Sequence, residues 1–336
     1  MFENKRILIT GGTGSLGQAL TKRLLEFNPE SIRIFSRNEN NQILMARKFK
    51  ENEKLRFFIG DIRDYPRLLR AMEEVDIVFH TAALKHVDVI EYNPFESVKT
   101  NVIGTQNVID ACHTVGTKLA VGIGTDKAVA PLNVYGATKL LMEKLFVSAS
   151  NYVDTSKHPT KFIAIRYGNV LGSNGSVVPR FIEQIKAKQT ISITSPKMTR
   201  YSITMDDALD FILNSVQESK GSETFVPKLK AYNIMDLKDA LFELIGTTKF
   251  EITKIRPGEK LAEVLISGDE MNNTLEGKEG FIITHGDQSK DKLKHMYPNH
   301  NKSSGGTQYS SDIAEKLSKN ELIKMIKSSI EKLDDL

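Results

Sequence analysis

The chain lacks the features that mark several protein classes. It has one cysteine, Cys112, which excludes a disulfide scaffold and any cysteine-only zinc site. Its histidines show no metal-ligand spacing, so no metal is expected. No apolar run approaches the roughly 20 residues of a membrane-spanning helix. The start, Met1-Phe-Glu-Asn-Lys-Arg, runs straight into a strand-like segment with no leader pattern. Lys and Arg exceed Asp and Glu by only four, too small and even an excess for a nucleic-acid protein. Internal repeats and low-complexity tracts are missing too. A soluble, cytoplasmic, globular protein with no membrane or nucleic-acid partner is the expectation.

What is there is an ordinary globular composition, 40% hydrophobic and 26% charged over 336 residues, enough for about two domains. The first half alternates short apolar runs with helical patterns. Ile7–Thr10, Ile32–Ser36, Arg56–Gly60, Asp76–His80, Lys118–Ile123 and Phe162–Arg166 are continuous rather than alternating, as suits strands buried on both faces of a parallel sheet. Helical segments such as Leu16–Phe27, Pro66–Met72, Phe95–Val115 and Ala137–Ser150 lie between them. The repeat predicts an α/β fold with a doubly wound parallel sheet, a Rossmann architecture.

Past residue 170 the rhythm weakens. Pro179–Lys188, Met205–Ser219 and Met235–Leu244 read as helices, and the polar stretch Asp287–Gly306 reads as a long surface loop. Ser318-Lys-Asn-Glu321 is a capping-box pattern. Leu322, Ile323, Ile326, Ile330 and Leu333 then share one face of a docked C-terminal helix. The expected organisation is a dinucleotide-binding domain over 1–170 and a smaller, interleaved α/β lobe over 171–336.

Thr10-Gly-Gly-Thr-Gly-Ser-Leu-Gly17 follows the first strand and opens a helix. Gly11, Gly14 and Gly17 permit a tight turn and a close backbone approach to a pyrophosphate, with Thr13, Ser15 and Leu16 in the same loop. The second strand ends at Ser36-Arg37-Asn38, where an NAD enzyme usually places an acid. Arg37 suits a 2′-phosphate, so NADP is favoured, while Glu39 keeps NAD open. Asp61-Ile62 and Thr81-Ala82-Ala83 end the third and fourth strands and belong to the same candidate site. Lys85, Thr100 and Asn101 complete the cofactor set.

Tyr135-Gly-Ala-Thr-Lys139 puts a phenol and an amine on one helix face. A lysine cation there lowers the phenol's proton affinity. With nine tyrosines and 46 basic residues in the chain, about one such pair is expected by chance, so its meaning comes from its place after the fifth strand. Thr125-Asp126-Lys127 stands ten residues upstream of Tyr135. It offers an acid and an amine at a strand's carboxyl end.

Taken together with Lys85-His86, Arg166-Tyr-Gly-Asn-Val170, Gly175-Ser-Val-Val-Pro179 and Arg256-Pro-Gly-Glu-Lys260, these motifs resemble the extended short-chain dehydrogenase/reductases. Within them the chain is similar to the soluble, inverting UDP-N-acetylglucosamine 4,6-dehydratases of pseudaminic acid biosynthesis, in the CapD-like polysaccharide biosynthesis group. The resemblance runs from about Lys5 to Glu263 and continues weakly into Tyr309-Ser-Ser-Asp312.

The resemblance implies roles. Tyr135 takes the sugar 4-hydroxyl proton while hydride leaves C4, and Lys139 holds the nicotinamide ribose and keeps Tyr135 acidic. Lys127, neutral through burial beside the oxidised cofactor, is the base at C5. Asp126 protonates the departing 6-hydroxyl, and Thr125 bonds the O4 region. Lys85 and His86 face the sugar. Asn169, Val170, Ser176 and Val177 meet the uridine diphosphate side, and Arg256 its phosphates. Epimerases and ketoreductases usually carry Ser/Thr-Ser/Ala in place of Asp126 and Lys127, and retaining dehydratases an acid in place of Lys127. Longer polysaccharide dehydratases keep Met at position 135. A non-catalytic NADP-binding protein tends to lose the Tyr or the Lys. The family commonly has Ser at Gly124, Asn at Ala130, Asp at Asn38 and Arg at Asn174. A homo-oligomer is expected, with Leu140, Leu141, Leu145 and Phe146 and the Phe95–Val115 helix as its pairing faces.

Overall fold

The computed structural model describes all residues except 152, 154–156, 158, 174, 286–288, 304–306 and 335–336, and it leaves the side chains of 290 and 330–334 undescribed. Six strands follow the apolar runs of the first half: β1 (Arg6–Thr10), β2 (Ser31–Ser36), β3 (Leu55–Ile59), β4 (Ile77–His80), β5 (Leu119–Ile123) and β6 (Lys161–Ile165). They pair in parallel in the order β3-β2-β1-β4-β5-β6. β1, β4 and β5 are almost wholly buried because helices cover both faces. The crossover helices are α1 (Ser15–Leu25), α2 (Glu39–Lys48), α3 (Tyr65–Met72), α4 (Gly104–Val115) and α5 (Val134–Ser148).

The second half does not form a separate layer. After β7 (Asn169–Val170), α6 (Val177–Lys186), β8 (Thr199–Ile203) and α7 (Met205–Glu218), the chain returns to the first sheet. There β9 (Glu223–Pro227) adds in parallel beside β6. After β10 (Ala231–Asn233) and α8 (Ile234–Ile245), the sheet is extended by β11 (Thr274–Glu276), β12 (Gly280–Thr284) and β13 (Asn301–Lys302), all antiparallel. The sheet therefore has ten strands, and residue 170 is not a boundary between packing units. The smaller lobe consists of the β7-β8-β10 sheet and a core of α6, α8 and α9 (Lys319–Asp334), with Phe181, Ile185, Leu237, Leu241, Leu322 and Ile326 buried together.

Three local readings need correction. The Phe95–Val115 segment is helical but not one α-helix. Pro94–Ser97 leads into a π-helical stretch, Val98–Ile103, before α4 begins. Wider π turns re-aim side chains. Here Asn101 is buried, and its amide spans Leu84 N (2.8 Å), Leu84 O (2.9 Å) and the Ser97 and Thr138 hydroxyls. The polar 287–306 stretch is not all loop. It carries the helix Lys290–Met296, capped by Ser289, and strand β13, while residues 287–288 and 304–306 lie outside the described residues. Phe146 is not an interface residue. It is fully buried and stacks on His80 at 5.7 Å, whereas Leu141 on the same helix is exposed.

At the tail, Ser318 N donates to Glu321 at 2.8 Å and Glu321 N donates to the Ser318 hydroxyl at 3.3 Å, the reciprocal cap read from the sequence. Leu322 and Ile326 are buried and Ile323 packs against them. Ile330 and Leu333 lie among the undescribed side chains.

His80 at the end of β4 is held by the Thr10 hydroxyl (2.8 Å) and the Thr105 hydroxyl (3.0 Å). Burial first, then the Lys139 charge, pushes its pKa down to about 3. The unfolded chain therefore takes up a proton below an ordinary histidine value of 6.5 that the folded chain refuses. Stability must rise with pH across that window and fall on acidification. Urea unfolding should lose up to about 1.4 kcal/mol per pH unit from this group as pH drops from about 6 towards 4. His80→Asn should flatten that part of the profile.

Ala130 sits at φ +43° just after the Asp126–Ala128 turn, an unfavourable backbone for alanine. Ala130→Asn should raise stability by about 0.5–1 kcal/mol, read as a higher melting temperature.

Candidate active site

A cavity of about 1200 Å³ opens along the carboxyl ends of the parallel strands and is roofed by the smaller lobe. Ligands bind in open α/β sheets at this edge, where the strand order reverses across β1 and β4. At one end the glycine loop turns from β1 into α1. Gly11 has φ +66°, and a Cβ there would stand 2.8 Å from Ala82 backbone; one at Gly17 would stand 2.5 Å from Gly12 Cα. Gly14 differs. It is the N-cap of α1 at an ordinary φ of −74° and offers no side-chain cap. The first N–H groups of α1 are thus left for a ligand, the arrangement that suits a pyrophosphate.

Every candidate residue of the loop, Gly11, Thr13, Gly14, Ser15, Leu16 and Gly17, lines the cavity. So do Ser36, Arg37, Asn38, Asp61, Ile62, Thr81, Ala82, Ala83, Lys85 and Thr100. Asn101 does not; its amide braces the Leu84 backbone instead. Asp61 is half-buried. Burial raises its pKa, but hydrogen bonds from Arg63 at 2.7 Å and the Arg37 charge outweigh that and hold it low. Arg37 stays 3.9 Å from that carboxylate with more than half of its side chain exposed.

The chemistry-bearing residues meet at the cavity's other end. Thr125, Lys127, Tyr135 and Lys139 line it, with Asn169 opposite; Asp126 is fully buried behind them. The α5 N-cap Asn133 accepts from Gly136 N at 2.8 Å and donates to Gly258 O at 2.9 Å. One side chain thus starts the Tyr-Lys helix and docks the Arg256–Lys260 loop on it. Lys260 adds a bond to Val129 O, and Arg256 reaches to 4.0 Å from Asp88 across the mouth. His86, Val170, Ser176, Val177 and Arg256 also line the cavity.

The electrostatics depart from expectation. Lys127 was expected to be neutral through burial. Burial does depress it, but Asp126 and Glu263 outweigh the loss and hold it as a cation, well above an ordinary lysine. Its Nζ donates to Asp126 Oδ1 at 3.0 Å and to Asn169 Oδ1 at 3.2 Å, with Glu263 Oε1 at 3.7 Å. The expected action of Lys139 on Tyr135 is also revised. Lys139 is buried and bonds the Ile123 carbonyl; desolvation brings its pKa down to about 8 against the Glu143 charge. Burial raises the Tyr135 phenol, and the cation that opposes this is Lys127. The Thr125 hydroxyl, hydrogen-bonded to the phenol, also favours its anion.

Sequence reasoning missed three buried residues here. Glu263 and Arg200 line the cavity, with Arg200 Nε 3.7 Å from Glu263. Glu143, one turn beyond Lys139, pairs with Arg166 at 2.7 Å. Arg166 also binds Glu270 at 2.8 Å and Leu265 O at 2.8 Å. The family's common serine at 124 would crowd this pair, because a Cβ on Gly124 would run into Glu143 Oε1 and stand 3.0 Å from Ile165 O, so the Glu143 carboxylate would have to shift. Among the described residues no cluster suited to a metal ion occurs, and no helix is long and apolar enough to cross a membrane.

Residues 7–285 match the family described as polysaccharide biosynthesis protein. The chain belongs to that family. It is 46% identical to the inverting UDP-N-acetylglucosamine 4,6-dehydratase of Campylobacter jejuni over 286 residues, covering 84% of each chain. It is 42% identical over 276 residues to the UDP-glucose 4-epimerase of Rickettsia felis, covering 81% of this chain and 80% of that one. Among solved structures it is similar to Pen from Bacillus thuringiensis, with a TM-score of 0.89, 39% identity and 98% of both chains covered. The extended short-chain dehydrogenase/reductase fold expected from the motifs is the fold observed.

Gly124→Ser should displace Glu143 from Arg166 and cost about 1–3 kcal/mol of stability, read by thermal or urea unfolding.

Proposed function

We propose that this protein is a nucleotide-sugar 4,6-dehydratase that acts on UDP-N-acetylglucosamine with inversion at C5. The single observation that carries this is Lys127 beside Asp126 at 3.0 Å on the cavity wall, next to Tyr135. An epimerase needs one acid/base, but a dehydratase needs a second pair for C5 and O6. The 46% identity to an enzyme named for this activity agrees.

A nicotinamide dinucleotide fits the loop end of the cavity. The uncapped N-terminus of α1 and Gly11 to Gly17 would hold its pyrophosphate, Asp61 and Ile62 its adenosine side, and Tyr135 and Lys139 its nicotinamide ribose. When bound, it supplies the hydride acceptor for C4 and the donor for C6. We favour NADP, with Arg37 pairing the 2′-phosphate.

Tyr135, in the phenolate form that the Lys127 charge and the Thr125 hydroxyl favour, takes the proton from the 4-hydroxyl as C4 is oxidised, and the new carbonyl acidifies the C5 hydrogen. Proton transfer within the 3.0 Å Asp126–Lys127 pair then makes a neutral amine and a carboxylic acid without exchange with solvent. The amine removes the C5 proton, the acid protonates the departing 6-hydroxyl, and water leaves. The ion pair is restored. Reprotonation at C5 from the opposite face, by the proton that Tyr135 took from the 4-hydroxyl, would give an inverted 4-keto-6-deoxy sugar once a bound nicotinamide had supplied hydride to C6, and would return Tyr135 to its starting form. The uridine diphosphate lies toward Asn169–Val170, Ser176–Val177 and Arg256. We also propose a homo-oligomer in which exposed Leu141 and Ile103 lie at a contact between copies. Sedimentation at micromolar concentration checks this, and a monomer sinks it.

Incubation with UDP-N-acetylglucosamine in D2O, followed by NMR, should give a 4-keto-6-deoxy product with deuterium at C5 and inverted C5 configuration. Lys127→Ala should lose the C5 label. Conversion of UDP-glucose to its C4 epimer without loss of water would favour the epimerase reading instead. In binding measurements NADP should bind more tightly than NAD, and Arg37→Ala should weaken NADP about tenfold with little effect on NAD.

A further inference from the structure

The family motifs account for Asp126 and Lys127 but leave unexplained a second carboxylate beside the same amine. Glu263 follows the Arg256–Lys260 loop and lies in the cavity wall, only 4% exposed. Its Oε1 stands 3.7 Å from Lys127 Nζ and 3.7 Å from Arg200 Nε, while its Oε2 is buried without a hydrogen-bond partner among the described residues. A buried carboxylate oxygen with no partner costs stability unless it serves a purpose.

The backbone around Glu263 is clamped. Glu263 N donates to the Ser311 hydroxyl at 2.9 Å, and Ser311 N donates back to Glu263 O at 2.8 Å. The Ser311 hydroxyl in turn meets the Thr199 hydroxyl at 2.8 Å on β8, next to Arg200. The Tyr309-Ser-Ser-Asp312 segment, which has no other role in the site, thus holds this carboxylate against Lys127.

We propose that Glu263 is a positioning residue for the dehydration, which holds Lys127 Nζ together with Asp126 and Asn169 and supplies the counter-charge when Lys127 takes the C5 proton. The inference rests on the dehydratase reading above. The amine has three hydrogen-bonding directions, and Asp126, Asn169 and Glu263 lie around it. Asp126 is the partner that exchanges a proton with Lys127. Glu263 Oε1 stays beside the amine at 3.7 Å, so the protonated amine formed on removal of the C5 hydrogen remains paired even while Asp126 gives its proton to the leaving water. The other groups facing Lys127 are the Tyr135 phenol, the Tyr232 phenol and the Lys260 amine, and Arg200 balances Glu263 from the far side.

The test compares wild type with Glu263→Gln, which keeps the shape and removes the charge, and with Glu263→Asp, which keeps the charge. Two readouts separate a charge effect from a structural one. The first is acylation of Lys127 by acetic anhydride as a function of pH, quantified by mass spectrometry. Glu263→Gln should acylate about tenfold faster at a fixed pH below the midpoint, because less of the amine is protonated. The second is turnover of UDP-N-acetylglucosamine in D2O. Glu263→Gln should lower kcat at least tenfold, with KM little changed and a larger isotope effect for substrate deuterated at C5. Glu263→Asp should recover part of both. An unchanged acylation profile and an unchanged kcat would overturn the proposal. If the glutamine variant unfolds, the aspartate variant carries the test: a wild-type acylation profile together with wild-type kcat would leave the carboxylate's reach without effect and overturn the positioning role. If wild type itself forms no dehydrated product, the dehydratase reading fails. The acylation shift then still decides whether Glu263 holds the Lys127 charge.

Discussion

One buried guanidinium ties the protein together. Arg166, at the end of β6, binds Glu143 on α5 and Glu270 and Leu265 from the later chain. It is 1% exposed, so its charge is tolerable only because two carboxylates and a carbonyl surround it. Through Glu143 it sets the helix that carries Tyr135 and Lys139. Through Leu265 and Glu270 it sets the segment that carries Glu263. The two halves of the catalytic cluster therefore share one anchor, and Gly124 leaves the space in which Glu143 fits.

In the proposed mechanism the site shares protons rather than relying on an isolated base. A lone buried lysine would be neutral, as desolvation demands. Lys127 is instead a cation because Asp126 and Glu263 return more than burial removes. This is compatible with base catalysis because an ion pair at 3.0 Å and its neutral form contain the same number of protons. The reaction can draw on the neutral form and end on the charged one without passing protons to water. The roofed cavity helps, since interactions between these charges are stronger away from solvent.

Much of this was legible in the chain. The parallel order of β1 to β6 follows from apolar runs without alternation, and the glycine loop, the Tyr-Lys pair, Thr125 and Lys127 all line one cavity, with Asp126 buried behind them. These signals are local: each depends on residues within a few positions, so strand, turn and helix geometry already fix their relation. The misreadings share a different cause. Phe95–Val115 contains a π stretch in which Asn101 bonds Leu84, a contact between segments. Phe146, on helix α5, is core because it meets His80 on strand β4. The polar 287–306 stretch holds a helix and an edge strand because the sheet beside it needed covering and a partner.

The sequence by itself determined the fold class, because short-range spacing and backbone geometry specify strand, turn and helix, and its motifs, with the family they resemble, named the residues proposed for the cofactor and for the chemistry. Only the tertiary structure decided that residue 170 is no boundary, that Lys127 is charged, and that Glu263, Arg200 and Glu143 stand at or beside the site. Those facts depend on which distant charges burial brings within a few ångströms. Pairwise energies of that kind leave no periodic mark along a chain.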